Sequence, residues 1–177
     1  TRSHLIGTLD EPTSGNIQLS GIDPFSLDEQ ELAHYRNHKI GFVFQEHYLL
    51  PQCTLLENIL LPTLATGNPQ ASANARAHDL LQRVGLADRH QHRPAACSGG
   101  GRQRAALAPS LIMQPQLLLA DEPTGNLDRQ TADQVADLML EVQRDENTIL
   151  MLATHSRVLA EKMQRTAELV DGRLQSK

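Results

Sequence analysis

Tryptophan is absent from the 177 residues, and phenylalanine and tyrosine together make up only 3%. The core of such a chain has to be aliphatic. Cysteine is nearly absent too: Cys53 and Cys97 stand alone, outside any CxxC or Cys/His spacing. That excludes a disulfide framework and a zinc cluster, and two free thiols in a reducing compartment are expected. Lysine occurs only at Lys39, Lys162 and Lys177, none of them after a glycine-rich turn, so the phosphate-loop pattern GxxxxGK[ST] does not occur in these residues. The longest apolar runs, LLENILLPTLA (55–65) and NTILMLAT (147–154), fall far short of the roughly 18 residues that span a bilayer. Basic clusters are missing, and the net charge of −5 argues against a nucleic-acid partner. The chain opens at Thr1 without the charged and apolar regions of a signal peptide.

What is present is ordinary globular usage, 40% apolar and 21% charged, in a length that supports one sizeable core and a smaller inserted lobe. GNIQLS (15–20) and KIGFVF (39–44) read as strands from their β-branched or aromatic residues and turn-forming flanks. Between them SLDE (Ser26 to Glu29) reads as a capping box opening a helix to about Asn37. TLLE (Thr54 to Glu57) repeats that device ahead of an apolar helix expected to stop at Pro62. The Ala-rich stretch 69–85 predicts a helix ended by Gly85, with Leu80, Leu81 and Val84 on one face.

LLLAD (117–121) and TILMLAT (148–154) are apolar runs without clean alternation, the pattern of parallel strands covered on both faces. Between them Asp128 is placed to cap a helix through about Arg144, which carries Val135, Leu138, Met139 and Val142 at helical spacing. Strand, helix, strand in that order implies a right-handed parallel crossover. ELVDGRLQ (168–175) reads as a hairpin turning at Asp171-Gly172. The expected architecture is α/β, a parallel sheet with a helical lobe over about 46–95 inserted in a single domain, 1–177.

The chemistry gathers at strand ends, where ligands of open parallel sheets bind. Asp121 and Glu122 close an apolar strand: an aspartate there can hold Mg²⁺ directly or through water, and the neighbouring glutamate can polarise an attacking water. His155 ends the next strand, at the same sheet edge, and Gln45 ends KIGFVF. CSGGGRQR (97–104) sets the hydroxyl of Ser98 and the unshielded backbone of Gly99 and Gly100 at a helix start, an arrangement suited to an anion. Taken singly, each of these features has a bland alternative: a solvated turn, a loop histidine, a surface glutamine, a flexible linker. Their shared edge and order make the stronger reading.

The succession FVFQ, SGG-x-RQR, LLLADEPTGNLD, ATHS resembles the ATP-binding subunit of an ABC transporter across most of the chain. GFVFQEHYLLP, TLLENILLP and DEPTGNLD are most similar to the group serving lipoprotein release, macrolide export and related peptide export. The resemblance implies a P-loop NTPase-like core, ATP and Mg²⁺ as ligands, and a head-to-tail dimer with a second ATP-binding subunit. It also implies an integral membrane permease as partner and a cytoplasmic site at the inner face of the cell membrane. Asp121 would support the metal, Glu122 would be the catalytic carboxylate and His155 the switch histidine. Gln45 would touch metal or water and report to the permease. Ser98, Gly99 and Gly100 would reach the partner's γ-phosphate, and Asp128 would lie at the dimer interface.

Three residues depart from the family pattern: Cys97 stands where Leu is usual, Gly101 where Gln or Glu is usual, and Pro109 where the helix would continue as ARAL. An interior helix proline costs about 3 kcal/mol. Alignment of HLIGTLDEPTSG with the family sets Thr1 directly after the lysine-serine of the phosphate loop, so an N-terminally truncated cassette is expected. On the sequence two readings stay open: an ATPase motor coupled to a permease, or a noncatalytic ABC domain acting as a binding partner. A soluble ABC protein of DNA repair or translation is disfavoured by the acidic balance and the transporter-like segment after Gln45.

Overall fold

A computed structural model of the chain describes residues 2–65 and 71–176. Three parallel strands form its sheet: β1 (Ile40–Phe44), β2 (Leu117–Asp121) and β3 (Ile149–Ala153), with β2 in the middle. The register aligns Phe44 with Asp121 and Asp121 with Ala153, so the C-terminal ends of all three strands meet at one edge.

Alternation along these strands divides the apolar residues between two layers. Val43, Leu118, Ala120, Leu150 and Leu152 belong to a cluster shared with α3 (Leu55–Leu64), α4 (Ala71–Arg83), α5 (Gly99–Leu111) and α6 (Arg129–Asp145). Ile40, Phe42, Leu117, Leu119 and Met151 belong to a second cluster with Tyr35 and Leu32 of α2 (Glu29–Lys39) and Ile6 of α1 (Arg2–Ile6). Both faces being covered explains why β2 reads as an unbroken apolar run. Leu80, Leu81 and Val84 are almost fully buried, as their spacing predicts.

Several boundaries differ from expectation. No strand forms over 15–20; Leu19 and Ile22 make only an isolated antiparallel bridge, with reciprocal N–H···O bonds of 3.1 Å around Ser20 and Gly21, both at positive φ. The next hydrogen-bonded pair of such a ladder would need an N–H from Pro24, which has none. Ser26 does not cap α2: it lies in a short 3-10 turn begun by Pro24, and Asp28 takes the cap, reciprocally bonded with Glu31. The helix then runs to Lys39, two residues past Asn37. Thr54 and Glu57 form the expected box, with Glu57 N–H reaching Thr54 Oγ1 at 3.1 Å and Thr54 N–H reaching the Glu57 carboxylate at 2.7 Å.

Pro62 does not stop its helix as expected, and Pro109 lies inside a helix that continues past it. α3 continues two residues past Pro62 to Leu64, and the Pro62 carbonyl accepts from Asn37 Nδ2 at 3.1 Å. α5 passes through Pro109 to Leu111. Each proline costs its helix one bond, the N–H that would reach the carbonyl of Asn58 or Ala105, and each helix ends two residues later. The expected start of α4 at Pro69 and Gln70 lies outside the described residues.

Asp128 caps α6, accepting from Thr131 N–H at 3.1 Å, and the helix ends at Asp145. A five-residue helix, α7 (Arg157–Glu161), follows β3. β4 (Ala167–Val170) and β5 (Arg173–Ser176) pair antiparallel around Asp171 and Gly172, both at positive φ as a two-residue hairpin turn demands. Among the described residues, no helix is long and apolar enough to cross a membrane.

Candidate functional site

β2 ends in Asp121 and Glu122 leaves it by an abrupt turn, with φ at +45°. A non-glycine residue there is strained by about 1–3 kcal/mol, a cost sustained only where surroundings hold it. Those surroundings are visible. Glu122 N–H donates to Ala153 O at 2.9 Å, extending the β2–β3 ladder by one rung, and Gly125 N–H donates to Glu122 O at 3.0 Å, closing the turn.

The Glu122 carboxylate is held from two sides. His155 N–H donates to Oε1 at 2.7 Å, and Thr154 Oγ1 donates to Oε2 at 3.2 Å. The His155 ring projects fully into solvent, with Nε2 3.7 Å from Glu122 Oε1. A carboxylate and an imidazole thus stand together at one sheet edge, the imidazole facing outward. Thr154 was not singled out by its sequence; its signal is only its position beside His155.

Gln45 leaves the end of β1 and meets the same turn. Its Nε2 donates to Asn126 Oδ1 at 3.0 Å, and a Cβ added at Gly125 would lie 3.0 Å from that nitrogen. Gly125 thus admits the glutamine against the loop. Asn126 and Gly125, which the sequence showed only within DEPTGNLD and without a role of their own, are contributors.

Gln45, Glu122 and His155 line one open cleft of about 730 Å³ together with Thr124, Leu127 and Arg129. Asp121 is half-buried one residue behind it, at the end of β2. Two carboxylates and a glutamine side chain at one strand edge offer hard oxygen donors, with an imidazole beside them. That suits Mg²⁺, which takes one or two carboxylates and fills its remaining positions with water and phosphate oxygens. Among the described residues no cluster of three His, Cys, Asp or Glu forms an all-protein metal cage.

Ser98, Gly99 and Gly100 do not line this cleft. Ser98 caps α5, its Oγ accepting from Gly101 N–H at 3.2 Å. Gly100 is buried, and a Cβ there would run into Cγ2 of Thr131 on α6. Gly99 is 3.9 Å, at the position of an added Cβ, from Leu127. The glycines let the start of α5 close against the start of α6, while the N–H groups of Gly99 and Gly100, ahead of the capped Gly101, lack intrahelical acceptors. Asp128, exposed at the head of α6, has its carboxyl held below the usual range by the hydrogen bond from Thr131.

The unusual residues fit without disruption. Cys97 is 5% exposed and joins the aliphatic cluster. Gly101 lies beneath Ser98 Oγ and Cys97 Cβ, 3.2 and 3.3 Å from an added Cβ, so a larger residue there would need the capping turn to shift by a few tenths of an ångström.

A family model described as ABC transporter matches residues 1–125. The lipoprotein-releasing system ATP-binding protein LolD 1 of Rhodopirellula baltica is 51% identical over 174 residues, 98% of this chain and 76% of that protein. The lipoprotein-releasing system ATP-binding protein LolD of Geobacter metallireducens is 50% identical over 174 residues, 98% of this chain and 77% of its own length. A dimeric structure of the ATP-binding cassette MJ0796, in a post-hydrolysis state bound to ADP and Pi, superposes with a TM-score of 0.85 at 34% identity, covering 99% of this chain and 78% of that one. With the succession of strand-end residues now seen on one sheet edge, these likenesses agree: the chain belongs to the ABC transporter family, as one of its ATP-binding subunits.

Proposed function

We propose that this subunit hydrolyses ATP with Mg²⁺ to drive lipoprotein release through an integral membrane permease, working at the cytoplasmic face of the membrane. The observation that carries the catalytic part is the carboxylate of Glu122, held by two donors beside His155 at the end of the central strand. The lipoprotein part rests on the relatives that are about half identical over nearly the whole chain.

Glu122 is the general base: its carboxylate accepts a proton from the attacking water, and its fixed orientation spares the search for a reactive geometry. His155, with its ring exposed above that carboxylate, contacts the terminal phosphate and orients the same water. Asp121 and Gln45 would hold the metal side of the site, and Mg²⁺ bound there would neutralise charge on the phosphate oxygens. Ser98, Gly99 and Gly100 supply a hydroxyl and helix-terminal N–H groups to the phosphate bound by a second subunit, so two copies work head to tail. Asp128 lies near that boundary, and residues 46–95 act as a helical subdomain through which Gln45 reports to the permease.

The test is release of a lipoprotein from proteoliposomes that hold the native protein and its permease. Release is expected to need Mg-ATP and to be lost in Glu122→Gln. ATP-dependent release that survives E122Q unchanged would overturn the proposal.

A further inference from the structure

The geometry points to Thr154 as a positioning residue for Glu122, fixing the carboxylate through a hydroxyl whose single proton has been given one direction. This inference rests on the reading of Glu122 as general base. Thr154 Oγ1 accepts the N–H of Ser156 at 3.0 Å and lies 3.2 Å from Glu122 Oε2. A threonine hydroxyl has one proton and two lone pairs. With Ser156 N–H on a lone pair, the proton is turned to the carboxylate, which is acceptor-only when ionised.

Ser156 is itself fixed, since it caps α7 and its Oγ accepts from Leu159 N–H at 3.3 Å. A line of contacts therefore runs from the cap of α7 through Ser156 and Thr154 to Glu122 Oε2. The other oxygen, Oε1, is held by His155 N–H at 2.7 Å. Donors from adjacent residues, 154 and 155, thus fix both oxygens, and the plane of the carboxylate follows the β3–α7 connection that carries His155. Removal of the hydroxyl leaves one donor and lets the carboxylate rotate about its last bond. Glu122 also stands at positive φ, so its own backbone does not supply the orientation in any ordinary strand geometry.

The experiment measures steady-state ATP hydrolysis by the native protein with its permease, for wild type, Thr154→Val, Thr154→Ser and Glu122→Gln. T154V keeps the shape and strand preference of threonine and loses only the hydroxyl. It is expected to lower kcat on the order of tenfold, the effect of one lost hydrogen bond to a charged group, with KM for ATP unchanged and the melting temperature little lowered, since the exposed Ser156 N–H that also loses its acceptor can turn to water. T154S is expected to restore kcat, because it keeps the hydroxyl. A merely structural threonine would instead move the melting temperature, and serine would not recover turnover.

If E122Q is inactive while T154V turns over like wild type, the positioning role is overturned and the reading of Glu122 stands. If E122Q itself turns over like wild type, the reading beneath both fails. T154A removes the same hydroxyl with less bulk and carries the same expectation should T154V not fold.

Discussion

Gly100 shows what a single hydrogen atom in place of a methyl achieves. Its neighbour across the α5–α6 contact is Thr131 Cγ2, and no room exists for a Cβ. Gly100→Ala gains roughly 1 kcal/mol of helix propensity but forces an overpacked contact worth about 1–3 kcal/mol, so packing should win by about 1 kcal/mol. Chemical denaturation should show that loss, and the double variant Gly100→Ala/Thr131→Ser, which removes the opposing methyl, should recover most of it. The glycine was legible in the sequence as part of a glycine-rich helix start. Its packing partner was not, because Thr131 lies across a turn whose close approach no local pattern encodes.

At the scale of elements, α4 is pinned by charge as well as by apolar contact. Arg76 donates to the carbonyls of Leu111 and Ile112 at 2.8 and 3.1 Å, where a cation complements the exposed C-terminal carbonyls of α5. The same guanidinium meets Glu146 at 2.9 Å, and Arg83 bridges Glu146 at 2.5 Å and Asp145 at 2.9 Å. Burial alone would push the Glu146 carboxyl up; the hydrogen bond and charge of Arg76, then of Arg83, outweigh it and hold the group below its usual 4.5.

In the unfolded chain Glu146 therefore takes up a proton at higher pH than in the folded one. Its contribution is fully present above about 4.5 and is lost as pH falls through the lower folded value. Glu146→Gln should cost about 2 kcal/mol at pH 7. The gap between wild type and E146Q should narrow when urea unfolding is repeated below pH 4.5; a gap that stays constant would show that the carboxylate charge plays no part. The helices were legible from periodicity and caps, whereas this clamp joins residues 63 and 70 positions apart and leaves no local trace. Two boundaries were misread for a related reason. Pro24 starts a 3-10 turn that takes Ser26 out of capping register, and Pro62 falls late enough in α3 for the helix to continue past it.

For the molecule as a whole, the legible part was the order of strand ends. Apolar runs announced β1, β2 and β3, and the polar residue that closes each run lies at one edge. What the sequence concealed was how that edge is held: Asn126 on Gln45, Thr154 on Glu122, and a positive φ at Glu122 itself. Those contacts join residues 81 and 32 positions apart, and they depend on the parallel register, not on any motif.

The proposed roles of Glu122 as base and of a second copy in completing the site are tested together by ATP turnover and association state of the native protein, wild type against Glu122→Gln, in Mg-ATP. E122Q should retain ATP, accumulate as an ATP-bound dimer in light scattering and lose turnover by at least about a hundredfold, as expected for removal of a general base. E122Q that hydrolyses ATP at the wild-type rate would rule out Glu122 as the base, and E122Q that binds ATP without dimerising would rule out a site completed by a second copy.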